Sequence, residues 1–463
     1  MENSFPERRT TLLVLLFALL IRIAAAGYWH YTAQSENRLF RVGDSHSYWT
    51  LAENLGAGLA YQYGSDNARV FRAPLYPIVL APFTWIPNSS SAVLAARILG
   101  CVFGTAAVGL LMILARRLSG ARAAVIAGIV AACYPSAIGM SAVILSEAIF
   151  MPLMIANLLL WHVAWRQQAT NPNHSFYPLA AGGVAGLAIL ARPSWLLFTP
   201  FASFIALVVC KQRGRVLWLL LLTCIGLSVT MSPWWIRNAL ITGKFVPTTL
   251  QVGPSLYDGW HAGATGSSDE GMLFMQDLLA EQTDKDALVL EKLANERVDQ
   301  VSGQPNSPLE STLEWRINQL AMNKALAWAG TSPWEAAKLA VIKLRRTWSL
   351  WPDGGEVSSF TIRLALSGSC LSVLLLALVW SLRHLRQTPW LLGLCWVPCL
   401  YFSALHMVFV GSIRYREPAM FVLCAVAGCA IAEFRIGKFL APVGDPNLKK
   451  RSPGSASATR NRT

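Results

Sequence analysis

The chain has 463 residues, of which 54% are hydrophobic and only 14% charged, and its mean hydropathy is +0.42. This composition excludes an ordinary soluble domain, because apolar stretches of membrane-spanning length recur along the chain. The net charge of +14 does not indicate nucleic-acid binding, since most Lys and Arg lie in short clusters between apolar stretches. The sequence therefore predicts an all-α polytopic membrane protein. These basic clusters are Arg8-Arg9, Arg116-Arg117 with Arg122, Lys211 with Arg213 and Arg215, Arg383 with Arg386, and Lys449-Lys450-Arg451.

Ten apolar segments predict about ten transmembrane helices, with both chain ends in the cytoplasm. Their approximate ranges are 11–29, 91–115, 122–139, 146–165, 176–191, 195–210, 216–234, 361–382, 388–410 and 418–434. The first is interrupted by Arg22 and has no convincing cleavage site, so it predicts a retained helix and not a signal peptide. A Pro-bounded run at 74–86 is too short to span and predicts a re-entrant or interfacial piece. The seventh span is expected to end at the segment Pro233-Trp234-Trp235-Ile236-Arg237-Asn238.

The spans divide the chain into four parts. Residues 1–236 form an N-terminal transmembrane module whose first outer loop is 30–72, and residues 351–434 form the C-terminal transmembrane helices. Residues 237–350 predict a small extracytoplasmic, mostly helical subdomain, because charged residues recur there at helical spacing. The basic tail at 435–463 is rich in Ser, Gly, Ala and Thr and is expected to be disordered in the cytoplasm. The charges at helical spacing are Asp277, Glu281, Asp284, Lys285, Glu291, Lys292, Glu296 and Arg297.

The first outer loop carries a carboxylate and a cation close to the predicted membrane boundary. Apolar residues at helical spacing follow Asp44 and predict a short amphipathic helix along the membrane surface, with Asp44 at its N-cap. Arg72 stands just before the Pro-bounded run, where a cation could hold an anionic headgroup. The apolar face of the helix comprises Tyr48, Leu51, Ala52 and Leu55.

Several arginines fall at the outer ends of the predicted spans, against the usual charge bias of membrane proteins. A charge at a helix centre costs ~2.5–3.5 kcal/mol on insertion scales, so an unusual set of this kind needs a reason. An anionic ligand would supply one, and snorkelling to lipid headgroups is the alternative. The set is Arg72, Arg192, Arg237, Arg345, Arg346, Arg414 and Arg416, accompanied by the acids Asp44 and Glu147.

Each of the polar residues also has a structural interpretation. Asp44 could be only a helix cap, and Glu147 could act in acid–base chemistry or pair internally with Arg192. His46 could hydrogen-bond Asp44, ligate a metal or simply face water, and Tyr257 could stack on a sugar face. All nine Cys lie within or at the edge of apolar spans, which indicates neither a disulfide framework nor a Cys-based metal site.

Short motifs spread over nearly the whole chain resemble a known family, the integral-membrane glycosyltransferases of the GT-C class. The likeness is to the branch that contains the protein O-mannosyltransferases and the lipid A aminoarabinose transferases. The motifs are Gly43-Asp44, Arg72-x-Pro74-Leu75-Tyr76-Pro77, Ala96-Arg97, Ser146-Glu147 after a span with Pro135, Ala191-Arg192-Pro193, Pro233-Trp234-Trp235-Ile236-Arg237-Asn238 with Gly243-x-Phe245-Val246-Pro247, Gly253, Leu256-Tyr257, and Arg414-Tyr415-Arg416-x-Pro418.

The resemblance implies a sugar donor attached to a polyprenyl phosphate and a catalytic module at 1–236. Asp44 corresponds to the first-loop carboxylate, which acts as general base on an acceptor hydroxyl or amine or orients it, and Glu147 matches the second-loop acid. Many relatives carry a second acid beside the first, whereas Ser45 and His46 follow Asp44 here, so a divalent metal stays open. The candidate phosphate-binding residues are Arg72, Arg192, Arg237, Arg414 and Arg416, and the candidate sugar or acceptor contacts are His46, Tyr76 and Tyr257.

The predicted function is transfer of a sugar from a polyprenyl-phosphate donor to a lipid, glycan or protein acceptor. The expected location is the plasma or inner membrane, with the site on the extracytoplasmic side and membrane lipid as a further partner. A flippase or exporter of lipid-linked sugars is the main alternative. It should show internal repeats and charges on both sides, and the sequence shows neither. A scaffold or receptor would leave Asp44 and Arg72 unexplained.

Overall fold

The computed structural model describes residues 4–40, 42–64, 68–170, 175–268, 272–284, 312–352 and 359–434. All regular secondary structure in these ranges is helical. The expected helical charges at 285–297 and the expected disordered tail from 435 lie outside the described residues. The α-helices are α1 (Ser4–Ser35), α2 (Gly43–Gly56), α3 (Leu75–Leu80), α4 (Ser89–Ser119), α5 (Ala121–Cys133), α6 (Pro135–Ala142), α7 (Glu147–Thr170), α8 (Phe176–Ala191), α9 (Phe198–Val209), α10 (Arg213–Thr242), α11 (Val252–Gly259), α12 (274–284), α13 (Leu313–Thr331), α14 (Pro333–Thr347), α15 (Phe360–His384), α16 (Pro389–Val408) and α17 (Ile413–Glu433), with 3₁₀ turns at Ala81–Trp85 and Pro193–Trp195.

The long apolar helices confirm an integral membrane protein that crosses the bilayer several times. Seven described helices are long and apolar enough to span a membrane, and the bent pair α5–α6 makes an eighth if it is one span. Shorter apolar stretches lie at Leu75–Trp85, Phe176–Ala191 and Pro193–Val209. All ten predicted spans therefore coincide with helices, while their number and orientation in the membrane remain predictions. The seven long helices are α1, α4, α7, α10, α15, α16 and α17.

Two helices near prolines differ in shape or length from the predicted spans. The span predicted at 122–139 breaks at Tyr134, where α5 and α6 meet at 61°, because the residue before Pro135 takes an extended conformation. Conversely, the segment 233–238 does not end the seventh helix. It lies inside α10, which continues to Thr242 and ends at Gly243 in the left-handed conformation. Arg237 is therefore a helical residue.

Helix α17 forms the centre of the bundle. Nearly every residue from Arg416 to Ala432 is buried, as expected for a helix that is surrounded by others. Its close packing depends on Gly428, where an added Cβ would lie 2.4 Å from the Cα atom of Ala127 on α5. This packing fixes the start of α17 at one end of the bundle, which we call the Asp44 end.

Helices α11 to α14 belong to the long polar region between α10 and α15 and pack together at the Asp44 end. A small apolar cluster joins α12 to α13 through Leu278, Ile317 and Ala321. The contact between α11 and α13 is close enough to require Gly253, since an added Cβ would lie 2.0 Å from the carbonyl oxygen of Asn318. The described part of this region is thus mostly helical, while its place outside the membrane as a subdomain stays a prediction.

Candidate active site

Asp44 lies in the first turn of α2 and does not cap it. The N-cap residue is Val42, which has no side-chain hydrogen bond to the helix, so the predicted N-cap role is wrong. The predicted apolar face of α2 is also not a lipid-facing surface. Its residues Tyr48, Leu51 and Ala52 are buried in the protein core. This burial anchors α2 on the bundle and leaves the Asp44 side chain 28% exposed.

Arg72 reaches Asp44 from the irregular segment that precedes α3. Its Nη2 donates to Asp44 Oδ1 at 2.8 Å, and its Nη1 donates to Gln251 Oε1 at 3.2 Å. The guanidinium also lies over the Tyr48 ring, 5.4 Å from the centroid. The buried Nε atom of Arg72 has no hydrogen-bond acceptor. Arg72 is therefore oriented by three neighbours, and its two hydrogen bonds use two of its five N–H donors.

Arg414, at the start of α17, joins the two acids. Its Nη1 donates to Asp44 Oδ2 at 2.8 Å, and its Nη2 donates to Glu147 Oε2 at 3.1 Å. Its Nε also donates to Glu147 Oε1. Glu147 is the first residue of α7 and is fully buried. It forms a second ion pair with Arg192, which is the internal pairing that the sequence analysis gave as an alternative to acid–base chemistry. The bidentate contact fixes the plane of the Arg414 guanidinium.

These five side chains form what we call the ion cluster: Arg72, Asp44, Arg414, Glu147 and Arg192. Three guanidinium groups face two carboxylates, which leaves one positive charge in excess. Burial raises the pKa of Asp44, but the positive charges of Arg72 and Arg414 outweigh this effect and hold the pKa below its usual range. Because Asp44 and Arg414 remain about one-quarter exposed, an anion can approach the excess charge at this point.

The three candidate sugar or acceptor contacts lie at different distances from the cluster. Tyr76 is buried, and its ring packs edge-on against Tyr48, with the centroids 5.3 Å apart. His46 is exposed, and its ring meets the edges of Phe40 and Tyr63 and makes no hydrogen bond to Asp44. Tyr257 is stacked on His261 within the loop helices, with the ring centroids 5.2 Å apart.

Two of the predicted phosphate-binding arginines are held outside the cluster. Arg237 donates to the carbonyl oxygen of Arg69 at 3.1 Å and lies over the rings of Tyr61 and Trp234. Arg416 is only 2% exposed and donates to the carbonyl oxygens of Thr347 and Ser349. The described contacts of Arg416 are therefore internal.

Two neighbours of the cluster had no functional signal in the sequence. Gln251 comes from the loop before α11, 179 residues after Arg72, and no motif pointed to its amide. Tyr48 was predicted only as an apolar face residue, yet its hydroxyl donates to Ser146 Oγ at 3.2 Å, beside Glu147. As for a metal, the described residues contain no group of three or more His, Cys, Asp or Glu side chains close enough to hold an ion.

The sequence and the fold both match known proteins. Residues 72–236 match the family of dolichyl-phosphate-mannose-protein mannosyltransferases, a segment that contains Arg72, Glu147 and Arg192 but neither Asp44 nor Arg414. No curated protein sequence matches the chain. Among solved structures, one match is the archaeal oligosaccharyltransferase AglB from Archaeoglobus fulgidus in complex with an inhibitory peptide and a dolichol-phosphate, with 15% identity and a TM-score of 0.55 over 93% of this chain.

A second match is the Archaeoglobus fulgidus oligosaccharyltransferase tethered to an acceptor peptide, with 14% identity and a TM-score of 0.52 over 90% of this chain. The chain spans about half the length of these two proteins, 50% and 49%. ArnT from Cupriavidus metallidurans bound to undecaprenyl phosphate gives a TM-score of 0.44 with 16% identity, over 91% of this chain and 77% of that one. The family match and the shared fold confirm the resemblance of this chain to the GT-C integral-membrane glycosyltransferases.

Proposed function

We propose that the protein transfers a sugar from a polyprenyl-phosphate donor to an acceptor on the extracytoplasmic side of the membrane. The observation that carries the proposal is the half-open ion cluster, in which the Asp44 carboxylate and the Arg414 guanidinium are in contact and partly exposed. Transfer needs an acceptor for a proton beside a site for a departing phosphate, and these two groups meet both needs. The acceptor is a lipid, a glycan or a protein.

The reaction forms one bond and breaks one bond at the anomeric carbon of the sugar. The acceptor oxygen or nitrogen attacks this carbon, and the bond from the carbon to the phosphate oxygen breaks. The electron pair of the broken bond leaves with the polyprenyl phosphate, and the acceptor proton passes to Asp44. Positive groups held in place before the reaction stabilise the charge that develops on the phosphate, typically by several kcal/mol.

Asp44 suits this role through its charge and position, although it is a weak base. Its low pKa keeps it ionised at neutral pH, so it can accept a hydrogen bond from the acceptor and orient it. Proton transfer then comes late, when the forming bond has made the acceptor hydroxyl acidic. Proton transfer of this kind contributes about 10²–10⁴-fold to a rate.

Arg72 and Arg414 bind the donor phosphate in this mechanism. A guanidinium carries five N–H donors, and the hydrogen bonds of Arg72 to Asp44 and Gln251 use two of them. Glu147 and Arg192 do not contact the donor in this mechanism. Glu147 is fully buried and is already paired with two guanidinium groups, those of Arg192 and Arg414. We therefore assign Glu147 to orienting Arg414 and leave the proton to Asp44.

The donor class rests on the family and on the fold together. The matching family is named for dolichyl-phosphate-mannose, and the AglB structure of similar fold was solved with a dolichol-phosphate. Both names include a polyprenyl-type phosphate. Such a phosphate is an anion, which the excess positive charge of the ion cluster would attract. We propose the same donor class for this chain, with a hexose or pentose as the sugar.

The test follows labelled sugar through a reconstituted bilayer. Wild-type protein and Asp44→Asn are incubated with a panel of radiolabelled polyprenyl-phosphate sugars and extracted envelope acceptors, and label is followed onto acceptor and across the bilayer. We expect wild-type protein, but not Asp44→Asn, to place label on an acceptor. The matched control is Asp277→Asn, which changes an exposed residue of α12 and should behave as wild-type. Label that crosses the bilayer without transfer would instead support the alternative function, a flippase or exporter of lipid-linked sugars.

A further inference from the structure

Glu314, near the start of α13, holds the backbone that leads to Arg72. Its Oε2 accepts hydrogen bonds from the backbone N–H groups of Arg69 and Val70, both at 3.0 Å, and its Oε1 accepts from Val70 at 3.2 Å. Glu314 is only 8% exposed and Val70 is fully buried. A carboxylate is thus removed from water to bind two peptide groups that lie two and three residues before Arg72.

Residues 68–73, which we call the Arg72 segment, have no regular structure that could satisfy these N–H groups. Its carbonyl groups are bound by other parts of the chain. The N–H of Leu250 donates to the carbonyl of Val70 at 3.0 Å, and the hydroxyl of Tyr61 donates to the carbonyl oxygens of Arg72 and Ala73. Because a buried N–H without an acceptor is costly, the segment depends on Glu314 for its conformation.

Helix α13 also positions the second partner of Arg72. The side chain of Asn318, one turn after Glu314, accepts a hydrogen bond from the backbone N–H of Gly253 at 2.7 Å. Gly253 lies two residues after Gln251, whose amide oxygen accepts from Arg72. One helix therefore fixes both the backbone behind Arg72 and the residue that orients its guanidinium.

A buried carboxylate at position 314 carries a desolvation cost that a purely structural side chain could avoid. Burial raises the pKa of Glu314 to about 7, despite the hydrogen bonds from Val70 and Arg69 and the positive charge of Arg237 on α10, which lower it. A neutral side chain would avoid this cost, but it would bind the two N–H groups less strongly, since hydrogen bonds to charged acceptors are the stronger ones.

We infer that Glu314 is a positioning residue for donor binding, which holds the Arg72 segment so that Arg72 meets Asp44, Gln251 and the donor phosphate. The inference rests on the proposed function. Glu314 itself touches neither donor nor acceptor. Its contribution appears in donor affinity, because Arg72 binds the phosphate, and not in acceptor affinity.

The decisive variant is Glu314→Gln, which keeps one acceptor oxygen, removes the charge and places an NH₂ donor against the segment. At pH 8, where Glu314 is ionised, we expect the KM for a polyprenyl-phosphate sugar to rise about tenfold, as for loss of one charge-assisted hydrogen bond. The KM for the acceptor and the kcat should stay within about twofold. The matched control is Glu335→Gln, since Glu335 is exposed on α14 and pairs only with Lys338 at the surface.

The pH profile separates positioning from general support of the fold. At pH 5.5 Glu314 is protonated in the wild-type, so wild-type and Glu314→Gln should have the same donor KM, whereas Glu314→Asp should keep the dependence on pH. The donor is a phosphodiester whose charge does not change over this range, unlike a phosphate monoester with a second pKa near 6. The inference would be overturned if wild-type and Glu314→Gln had the same donor KM at pH 8. It would also be overturned if Glu314→Gln lost donor affinity, acceptor affinity and thermal stability together.

Amide hydrogen exchange tests the inference without turnover. Peptides that contain Arg69 and Val70 should exchange faster in Glu314→Gln than in wild-type at pH 8, while the Glu335→Gln control should not differ. Should wild-type protein transfer no sugar but show this difference, the proposed function fails while the hold of Glu314 on the Arg72 segment is confirmed. Unchanged exchange in a variant that still transfers sugar would remove the positioning role alone. If Glu314→Gln does not fold, the wild-type and Glu314→Asp profiles decide.

Discussion

Arg414 and Arg416 lie two residues apart at the start of α17, yet they belong to two different regions of the molecule. Two helical residues are about 200° of rotation, so the side chains leave the helix on opposite sides. The Arg414 side chain is 27% exposed and joins Asp44 to Glu147, whereas that of Arg416 is 2% exposed. The first region is open to an anion and the second is closed.

The closed region is saturated by its own chain. Arg416 donates to the carbonyl oxygens of Thr347 and Ser349 at the end of α14 and pairs with Glu417, which also accepts a hydrogen bond from Tyr134 at 2.8 Å. The open region has three guanidinium groups for two carboxylates. An arginine therefore indicates an anion site only where its donors exceed the acceptors that the chain supplies.

The largest effect should come from Arg416→Gln, which should lower the stability of the folded protein. The change leaves Glu417 buried without its counter-charge, and breaking a buried pair typically costs about 3–5 kcal/mol. Thermal unfolding in detergent should show a clear loss relative to wild-type. A variant of wild-type stability with weakened donor binding would break the comparison, and Arg416 would then belong with the phosphate-binding residues, as the sequence predicted.

Arg414→Gln should act on the reaction. It removes the charge that bridges Asp44 and Glu147, and loss of one preorganised donor at a developing charge costs about 10²–10³ in kcat. The measurement is single-turnover transfer of labelled sugar, with Arg345→Gln, an exposed arginine of α14, as the matched control. If kcat were retained and only stability fell, Arg414 and Arg416 would serve the same purpose and the distinction would fail.

The sequence predicted much of this arrangement, but not the difference between the two arginines. Hydrophobic runs located the spans, because each helix must be apolar along its own length. The motifs gave Asp44, Arg72, Glu147 and Arg414 as candidates through their resemblance to a family, and the structure brings these four together.

Which face of α17 is closed depends on α14, whose last residues supply the carbonyl groups for Arg416. No local pattern contains this information. The same holds for Glu314, whose partners Arg69 and Val70 lie 245 and 244 residues away in the chain. The bend at Tyr134 is different, because its cause, Pro135, is the next residue in the sequence.

Arg72→Gln tests donor binding within the open region. Arg72 uses two of its five N–H donors on Asp44 and Gln251, so the variant should lose a charge-assisted contact to phosphate. Donor affinity should fall about tenfold or more, as for a hydrogen bond to a charged group, while acceptor affinity changes little. Binding of undecaprenyl phosphate in nanodiscs measures the first, and acceptor KM the second. Unchanged affinity for the phosphate would assign donor binding to Arg414 alone.

The smallest effect concerns the turn that precedes both arginines. Lys343 on α14 is fully buried, and its Nζ donates to the carbonyl oxygen of Val408 at 2.9 Å, just before α17. Burial lowers the pKa of Lys343 to about 7, although Asp258 raises it. In the unfolded chain the amine stays protonated to about pH 10.4. Between these values the unfolded state binds more protons, so the free energy of unfolding rises with pH.

Lys343→Met should therefore remove a slope of up to about 1.4 kcal/mol per pH unit between pH 7.5 and 9.5. Denaturant unfolding at the two pH values measures it, and the control is Lys338→Met, whose amine is half exposed on the same helix. Equal slopes in wild-type and Lys343→Met would mean that Lys343 stays protonated in the folded protein over this range. A steeper slope in wild-type, with the activity of Lys343→Met reduced as well, would show that the turn holding Arg416 in its closed region also sets the position of Arg414.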